Sequence, residues 1–386
     1  MTPWWFHLTK PVCRKALRKQ KILKIESQGL ENLESVVAAK HGIMLTPNHS
    51  FHWDSYCLIA AAEKLRLPFY IMTAWQVFAM SSWFERHSMQ RCGCFSVDRE
   101  GTDMHAMKTA VDVLQNRPHP LVIFPEGDVY HTNDRITPFR DGAAAMALMA
   151  ARKSSRPVSI VPVAIKRWYS EDPTPSLIRT VEILERRLFW RPQEQLPLTD
   201  RIIHVAQGLL SLKELEHMRT THAGTLSERI ERLTSHILLA CESRYAIAKK
   251  STLIPERVKE VRRTVIAARE ESGESASQEQ HRQWASDMDN MFLVTQLYSY
   301  PGNYLLENPS IERIAETLDK LEEDALEASY PTVHGQREVI VRFAPPIELP
   351  MGKDKRLSPA DLTDEMEQRV QSMLDDLNAS RSGKNR

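Results

Sequence analysis

The sequence predicts an α/β fold: a mixed central sheet flanked by helices, with a large helical insertion before the last strand. From about residue 42 to 165, short apolar runs alternate with helical stretches. Residues 172–330 are charged and poor in strand patterns, with apolar residues at helical spacing, and a further apolar run follows at 338–343. Strands covered on both faces read as short apolar runs, so this alternation indicates a sheet between two layers of helices. We expect the late run to return to that sheet.

Residues 1–40 are predicted to be a basic N-terminal helical segment. Trp4 and Trp5 precede a helix predicted over 8–24, and residues 1–24 contain seven lysines and arginines but no acidic residue. Tryptophan favours the membrane interface and basic side chains favour anionic headgroups, so this segment is a candidate membrane anchor. A solvated basic helix that caps the next domain is the open alternative.

Composition and hydropathy limit where the protein works. No run approaches the roughly 18 apolar residues needed to span a bilayer, and no apolar stretch follows the first basic residues as in a secretory signal. We therefore expect peripheral attachment at the cytoplasmic face of a membrane. Five scattered cysteines, an odd number, indicate reduced thiols. The formal net charge of +1 gives no argument for a nucleic-acid partner, and none is expected.

An α/β core is predicted over residues 41–171, a helical insertion over 172–330, and a returning strand with a C-terminal helix over 331–386. The predicted strands are 43–45, 69–72, 94–97, 121–124, 158–165 and 338–343, and the predicted helices outside the insertion are 55–64, 75–90, 104–114, 142–152 and 359–378. A polar stretch at 270–281 is predicted to be a turn or linker. We see no internal repeat in the sequence.

The segment from Asn48 to Asp54 carries the first chemical signal. His49 and Asp54 are five residues apart, directly after a predicted strand and at the start of a helix. At such a turn the carboxylate can fold back onto one imidazole nitrogen while the other faces a cleft, which is the orienter and the base of a catalytic triad. Histidine titrates near neutral pH, so it suits a general base. A metal site formed with His52 is a less favoured alternative, because no further cluster has matching spacing, and no metal is expected.

Three further segments lie at or within predicted strands. Arg99 follows the third strand, where its planar guanidinium would suit a phosphate. Glu126 and Gly127 follow the fourth strand: Gly127 permits close backbone approach, and Glu126 could accept hydrogen bonds from ligand hydroxyls or position Arg99. Pro162 interrupts the fifth strand, which marks a sheet edge or a bend that could line a ligand channel. An ordinary surface arginine and a simple β-turn are the alternatives for the first two segments.

Four motifs follow one another in register along residues 40–170. They are Asn-His-x4-Asp at Asn48, His49 and Asp54; a glycine followed six residues on by arginine, at Gly93 and Arg99; Phe-Pro-Glu-Gly at 124–127; and a proline within an apolar strand, at Pro162. In this order they resemble the glycerolipid acyltransferase family, whose best-known members are the 1-acylglycerol-3-phosphate acyltransferases. The segment from Phe139 to Ala144 is also similar to the family.

The resemblance implies an O-acyltransferase that moves a fatty acyl group from acyl-CoA or acyl carrier protein to a hydroxyl of a lysophospholipid such as 1-acylglycerol-3-phosphate. His49 would be the general base, and Asp54 would hold its imidazole. The acceptor-binding residues would be Arg99, Glu126 and Gly127, and the residues of the acyl pocket would be Asn48 and Pro162. No metal or other cofactor would be needed.

Two departures from the family pattern leave the acceptor open. After Phe-Pro-Glu-Gly the family usually continues Thr-Arg, whereas this chain has Asp128 and Val129. A cation is lost and an acid is added, so a lyso-lipid without phosphate is an alternative acceptor. The helical block at 172–330 is absent from short members; it could be a lid, a membrane-docking surface, a partner site or a scaffold. A catalytically inactive lipid-binding protein of the same fold is a further alternative, against which the intact His49–Asp54 pair argues.

Overall fold

The computed structural model describes residues 1–99, 103–248, 251–352 and 357–382. The chain divides into two compact units. The sheet unit contains the described residues of 1–98, 103–173 and 333–386, and the helical unit contains Arg99 and the described residues of 174–332. None of the described helices is both long enough and apolar enough to cross a membrane.

Strands and helices alternate in the sheet unit, and the described elements of the helical unit are helices. The strands are β1 (Ile22–Gln28), β2 (Gly42–Pro47), β3 (Tyr70–Ala74), β4 (Cys94–Val97), β5 (Leu121–Val122), β6 (Val158–Tyr169), β7 (Arg337–Phe343) and β8 (Ile347–Glu348). The helices are α1 (Pro3–Lys19), α2 (Leu30–Ala38), α3 (Asp54–Ala61), α4 (Trp75–Met80), α5 (Trp83–Cys92), α6 (Met104–Asn116), α7 (Gly142–Lys153), α8 (Thr174–Arg187), α9 (Leu198–Met218), α10 (Leu226–Arg244), α11 (Ile254–Ser272), α12 (Gln278–Tyr298), α13 (Tyr304–Glu307), α14 (Ile311–Leu326) and α15 (Pro359–Ser382).

One sheet forms the centre of the sheet unit, in the order β1-β7-β6-β2-β5-β3-β4, with β8 paired to β6. The neighbours β2, β5, β3 and β4 are parallel, and β6 is parallel to β2. β7, which follows the helical unit in sequence, is antiparallel to β6 and parallel to β1. The predicted mixed sheet and the returning strand are therefore confirmed. Because parallel strands end on the same side, the loops after β2, β3 and β5 lie along one carboxyl edge.

Helices cover both faces of this sheet, as β2 illustrates. Met44 packs in an apolar cluster with residues of α6, α7 and α15. Its neighbours Ile43 and Leu45 pack in a second cluster, with residues of α1, α2 and α3. Successive side chains of a strand point to opposite faces, so all six residues of β2 are buried. Burial on both faces is the reason that residues 43–45 of this strand form an uninterrupted apolar run.

Two predicted helices differ from the structure. The helix predicted over 8–24 is α1, which ends at Lys19, and the residues after it form β1. That strand pairs with β7 at the far end of the chain, a partnership that local periodicity cannot show. The helix predicted over 75–90 is two helices, α4 and α5. A new helix begins there because the Ser82 hydroxyl accepts from the Glu85 N–H while the Glu85 carboxylate accepts from the Ser82 N–H, a capping box.

Helices α9, α10 and α11 form a repeat, so the expectation of no internal repeat is wrong. They begin 28 residues apart, at 198, 226 and 254, and the fourth residue of each is an arginine. Each arginine makes a two-pronged hydrogen bond with a glutamate near the end of the preceding helix: Arg201 with Glu185, Arg229 with Glu214, and Arg257 with Glu242. All six side chains are buried. The pairs therefore fasten consecutive helices in the same way.

Candidate active site

His49 and Asp54 meet in the loop between β2 and α3. The Asp54 carboxylate is buried, and its Oδ2 atom accepts hydrogen bonds from the backbone N–H groups of Ser50 (2.9 Å) and Phe51 (2.8 Å). The same oxygen lies 3.2 Å from His49 Nδ1. Asp54 is also the first residue of α3, where the helix dipole favours a negative charge. The structure thus brings together the two residues that the sequence paired.

The His49 ring is held on a second side by Phe124. The two ring centroids lie 4.1 Å apart, with an angle of 30° between the ring planes. The His49 backbone is held as well: its N–H donates to Glu126 Oε1 (2.6 Å), and its carbonyl accepts from the Tyr130 N–H (3.4 Å). The His49 side chain is still 19% exposed. With Nδ1 facing Asp54, Nε2 is the nitrogen that can take a proton from a substrate, as a general base requires.

Glu126 ties the His49 loop to the segment before α7. Its Oε1 atom accepts from the His49 N–H, and its Oε2 atom accepts from the Thr137 N–H (2.9 Å). Complete burial raises the pKa of this carboxyl to about 8, against the opposing effect of the two backbone hydrogen bonds. The geometry therefore gives Glu126 a role in fixing two loops, and its contact with an acceptor hydroxyl stays a prediction.

Two asparagine side chains continue the pairing of β6 beyond the end of β2. The Asn48 amide accepts from the Ile165 N–H (2.7 Å) and donates to the Ile165 carbonyl (3.0 Å). The Asn133 amide bonds Arg167 in the same way, at 2.9 and 2.8 Å. Unpaired buried backbone groups are costly, so these side chains take the place of a missing strand. The position of Asn48, the residue directly before His49, is thereby fixed. Its place in an acyl pocket stays a prediction.

Asn133 was not among the residues singled out in the sequence. It lies in the loop between β5 and α7, which local patterns describe only as polar. The residues 130–134 of that loop are nevertheless buried. Only the fold shows that this loop packs inside the sheet unit and completes β6.

Pro162 lies in an interior strand. β6 has β2 on one side, and on the other side it pairs first with β8 and then with β7. The interpretation of Pro162 as the mark of a sheet edge is therefore wrong. Pro162 lies between Ile160, which pairs with β8, and Val163, which pairs with β7. A residue without an N–H is tolerated at this change of partner. Its place in an acyl pocket stays a prediction.

Gly127 lies directly against Arg140. Gly127 has a φ of 81°, and a Cβ atom built on it would lie 2.7 Å from the guanidinium carbon of Arg140. The Arg140 N–H donates to the Pro125 carbonyl (2.9 Å), so the segment before α7 runs beside the Phe-Pro-Glu-Gly turn. Arg140 Nε is buried and has no hydrogen-bond partner among the described residues. Sequence reasoning noted the segment from Phe139 without assigning Arg140 to the site.

Arg99 comes two residues after the end of β4, is half-buried, and groups with the helical unit. Its predicted position in a pocket shared with His49 stays a prediction. The predicted metal alternative needed His52 beside that pair. The His52 ring lies instead 5.6 Å from the ring of His131. Within the part of the chain that the structure describes, no group of three metal-ligating side chains includes His49 or Asp54.

Comparisons with known proteins point to the same part of the chain. The family profile described as Acyltransferase matches residues 24–166. A 1-acyl-sn-glycerol-3-phosphate acyltransferase of Streptococcus pneumoniae (strain ATCC BAA-255 / R6) is 28% identical over 119 residues. Those residues are 31% of this chain and 42% of that relative, so the match spans less than half of the relative's length. The family match contains the His49–Asp54 loop and the turn at Gly127, and it ends before α8.

Proposed function

We propose that this protein is an O-acyltransferase with His49 as its general base. The premise is that residues 24–166 form an acyltransferase domain of the glycerolipid acyltransferase family. The observation that carries the proposal is the contact of His49 Nδ1 with Asp54 Oδ2 at 3.2 Å. The carboxylate is buried and held by backbone amides, so it presents one fixed oxygen to the ring. The other ring nitrogen is left for the acceptor hydroxyl.

The proposed reaction needs one proton carrier. His49 Nε2 takes the proton of the acceptor hydroxyl as the hydroxyl oxygen attacks the carbonyl carbon of the acyl thioester. The carbon–sulfur bond then breaks, and the proton passes from His49 to the leaving thiolate, which gives an ester and a free thiol. Asp54 stabilises the imidazolium while the ring carries the proton. Holding donor and acceptor together supplies a further part of the acceleration.

For the acceptor we favour a lysophospholipid such as 1-acylglycerol-3-phosphate. The support is the guanidinium of Arg140, which packs on Gly127 in the turn whose glutamate bonds the backbone of His49. A guanidinium matches the geometry of a phosphate. This chain has Val129 where the family has arginine, and Arg140 places a positive charge beside the same turn. Arg99 is proposed as a second contact to the acceptor.

A lyso-lipid without phosphate is the second candidate acceptor. The observation that favours it is Asp128, which stands directly after Gly127 and whose Oδ1 atom accepts from the Val129 N–H at 3.0 Å. An ionised aspartate in the turn that is proposed to meet the acceptor would oppose a phosphate. The donor is proposed to be acyl-CoA or acyl carrier protein, because both present the same thioester.

The test is an acceptor panel measured by product mass. The full chain is incubated with labelled acyl-CoA or acyl carrier protein, and with lysophosphatidic acid, lysophosphatidylcholine or monoacylglycerol. We expect transfer to lysophosphatidic acid, none above background in His49→Ala, and a lost preference for the phosphorylated acceptor in Arg140→Gln. Preference of the wild type for an uncharged or zwitterionic acceptor selects the second candidate. Full activity in His49→Ala overturns the mechanism, and wild type that transfers no acyl group from either donor favours an inactive lipid-binding protein.

A further inference from the structure

Helices α1, α4 and α5 expose a group of large apolar side chains. Residues 75–84 contain no charged residue. Within them Met80 is 78% exposed, Trp83 75% and Phe84 61%, and Trp4 of α1 is 59% exposed. Together with Leu8, Val12, Trp75 and Val77, which are also exposed, these residues form what we call the apolar face. Clustered exposure of this kind marks an interaction surface, because each side chain would gain free energy by leaving water.

α1 and α5 present this face as one surface, because they are fastened side by side. The Trp5 ring lies between them, with its centroid 5.5 Å from that of Trp4 and 6.4 Å from that of Phe84. Its indole N–H donates to the Ser88 hydroxyl of α5 at 3.0 Å. The exposed aromatic rings of the two helices are therefore held in a fixed arrangement.

The charged side chains that α1 contributes beside the apolar face are basic. Residues 1–24 contain no acidic side chain. Two basic residues of α1 pair with Glu63. Lys15, Arg18 and Lys19 are exposed, and none of them makes an ion pair with a described residue. Exposed tryptophan and phenylalanine next to unpaired basic side chains match the interface of an anionic bilayer, where aromatic rings sit at headgroup level and cations meet phosphate.

The apolar face also begins at the edge of the sheet that carries His49. α4 starts directly after β3, and His49 lies two residues after the end of β2. β2, β5 and β3 are parallel, so both loops lie on the carboxyl edge. A lipid that leaves the bilayer at α4 therefore has a short path to the His49 loop.

We propose that the apolar face of α1, α4 and α5 docks the protein on an anionic phospholipid bilayer. The aromatic side chains enter the interface, and Lys15, Arg18 and Lys19 meet the headgroups. This deepens the proposed function, since a lipid acceptor is reached at a membrane surface, but the docking itself is measured without turnover.

The test is sedimentation of the full-length protein with vesicles of phosphatidylcholine, with and without phosphatidylglycerol. We expect Met80→Ser/Trp83→Ser to bind at least about tenfold more weakly than wild type. Met149→Ser is the matched control, since it removes an exposed methionine of α7, and we expect it to bind like wild type. Lys15→Gln/Arg18→Gln/Lys19→Gln is expected to lose the preference for phosphatidylglycerol and the weakening by salt.

Three results would overturn the docking proposal. The first is wild type that does not bind vesicles containing phosphatidylglycerol, and the second is equal binding by Met80→Ser/Trp83→Ser and Met149→Ser. The third is loss of binding on Phe189→Ser, a side chain of the helical unit that is 98% exposed, with no loss on changing the apolar face. If the protein fails to transfer an acyl group, the vesicle results still test the docking proposal, because binding is measured without turnover. With a short-chain acceptor dissolved in water, Met80→Ser/Trp83→Ser is expected to keep wild-type turnover.

Discussion

Asp54 Oδ2 lies 3.2 Å from His49 Nδ1 while it accepts two backbone hydrogen bonds, from Ser50 and Phe51. The backbone bonds orient the carboxylate before any substrate arrives. The carboxylate can then hold one ring nitrogen and stabilise the charge that forms when the other takes a proton. The spacing of five residues is what allows a single loop to make all three contacts.

Asp54→Asn is expected to lower kcat by about 10²–10⁴-fold, because a neutral amide cannot stabilise the imidazolium. KM is expected to change little, since Asp54 is buried and is proposed to act through His49 without touching the acceptor. The measurement is steady-state kinetics with the best donor and acceptor from the panel. Asp112→Asn is the control, because Asp112 pairs with Arg117 at the surface. A loss of less than about twofold for Asp54→Asn would contradict the proposed role.

Glu126 is expected to make stability depend on pH. Burial raises the pKa of its carboxyl from 4.5 to about 8 in the folded protein. Between these values the folded protein holds a proton that the unfolded chain has released. The contribution of the protonated Glu126 carboxyl to the free energy of unfolding is therefore complete below about pH 4.5. It is lost as the pH rises through about 8.

The measurement is urea unfolding of wild type and Glu126→Gln across this range. The free energy of unfolding of wild type, relative to that of the variant, is expected to fall as the pH rises, by at most about 1.4 kcal/mol for each step of one in pH. Above about pH 8 the difference is expected to become constant. A difference that does not change with pH would show that Glu126 titrates normally.

Gly127→Ala is expected to raise KM for a phosphorylated acceptor about tenfold and to cost about 1–2 kcal/mol of stability. The new Cβ would lie 2.7 Å from the Arg140 guanidinium, and a φ of 81° strains any residue but glycine. Gly142→Ala is the matched control, since a Cβ there meets nothing within 4 Å. If both variants keep wild-type kinetics, Arg140 does not act through its contact with Gly127.

The stability of the helical unit is expected to depend on both partners of each buried arginine–glutamate pair. Glu242→Gln leaves the buried guanidinium of Arg257 without a counter-charge, so we expect a loss of about 3–5 kcal/mol. Glu216→Gln, in an exposed pair with Lys213, is expected to cost less than about 1 kcal/mol. Urea unfolding monitored by far-UV circular dichroism compares the two variants. Equal small effects would mean that the buried pair does not fasten α10 to α11.

Asn133→Ala is expected to destabilise the protein by about 1–3 kcal/mol, because it leaves the buried N–H and C=O groups of Arg167 unpaired. Thermal unfolding measures this loss. Asn116→Ala is the control, because among the described residues the Asn116 side chain bonds an exposed aspartate of the same helix and nothing else. A melting temperature equal to that of wild type would show that water replaces the Asn133 amide.

Local patterns in the sequence predicted the helices and strands whose burial shows in the spacing of their own apolar residues. The strand at Cys94–Val97 has the predicted bounds, and α7 extends the predicted helix by one residue. The first residues of β1 were predicted as the end of a helix, and the rest of the strand was not predicted, because its partner is β7, at the other end of the chain. The helix repeat was missed although apolar residues and a glutamate also recur at the same spacing, because its clearest mark is a buried ion pair between helices, a contact that local periodicity does not show.

The fold class and the pairing of His49 with Asp54 could be predicted from local patterns, because both depend on residues that are close together in the chain. The folded chain was needed to show that Asn133 bonds the backbone of β6, that Glu126 ties two loops by backbone hydrogen bonds, and that Arg140 lies on Gly127. These contacts join segments that are distant in the chain. Each contact pairs or packs groups that would be costly to bury alone, and no local pattern in the sequence identifies the partner.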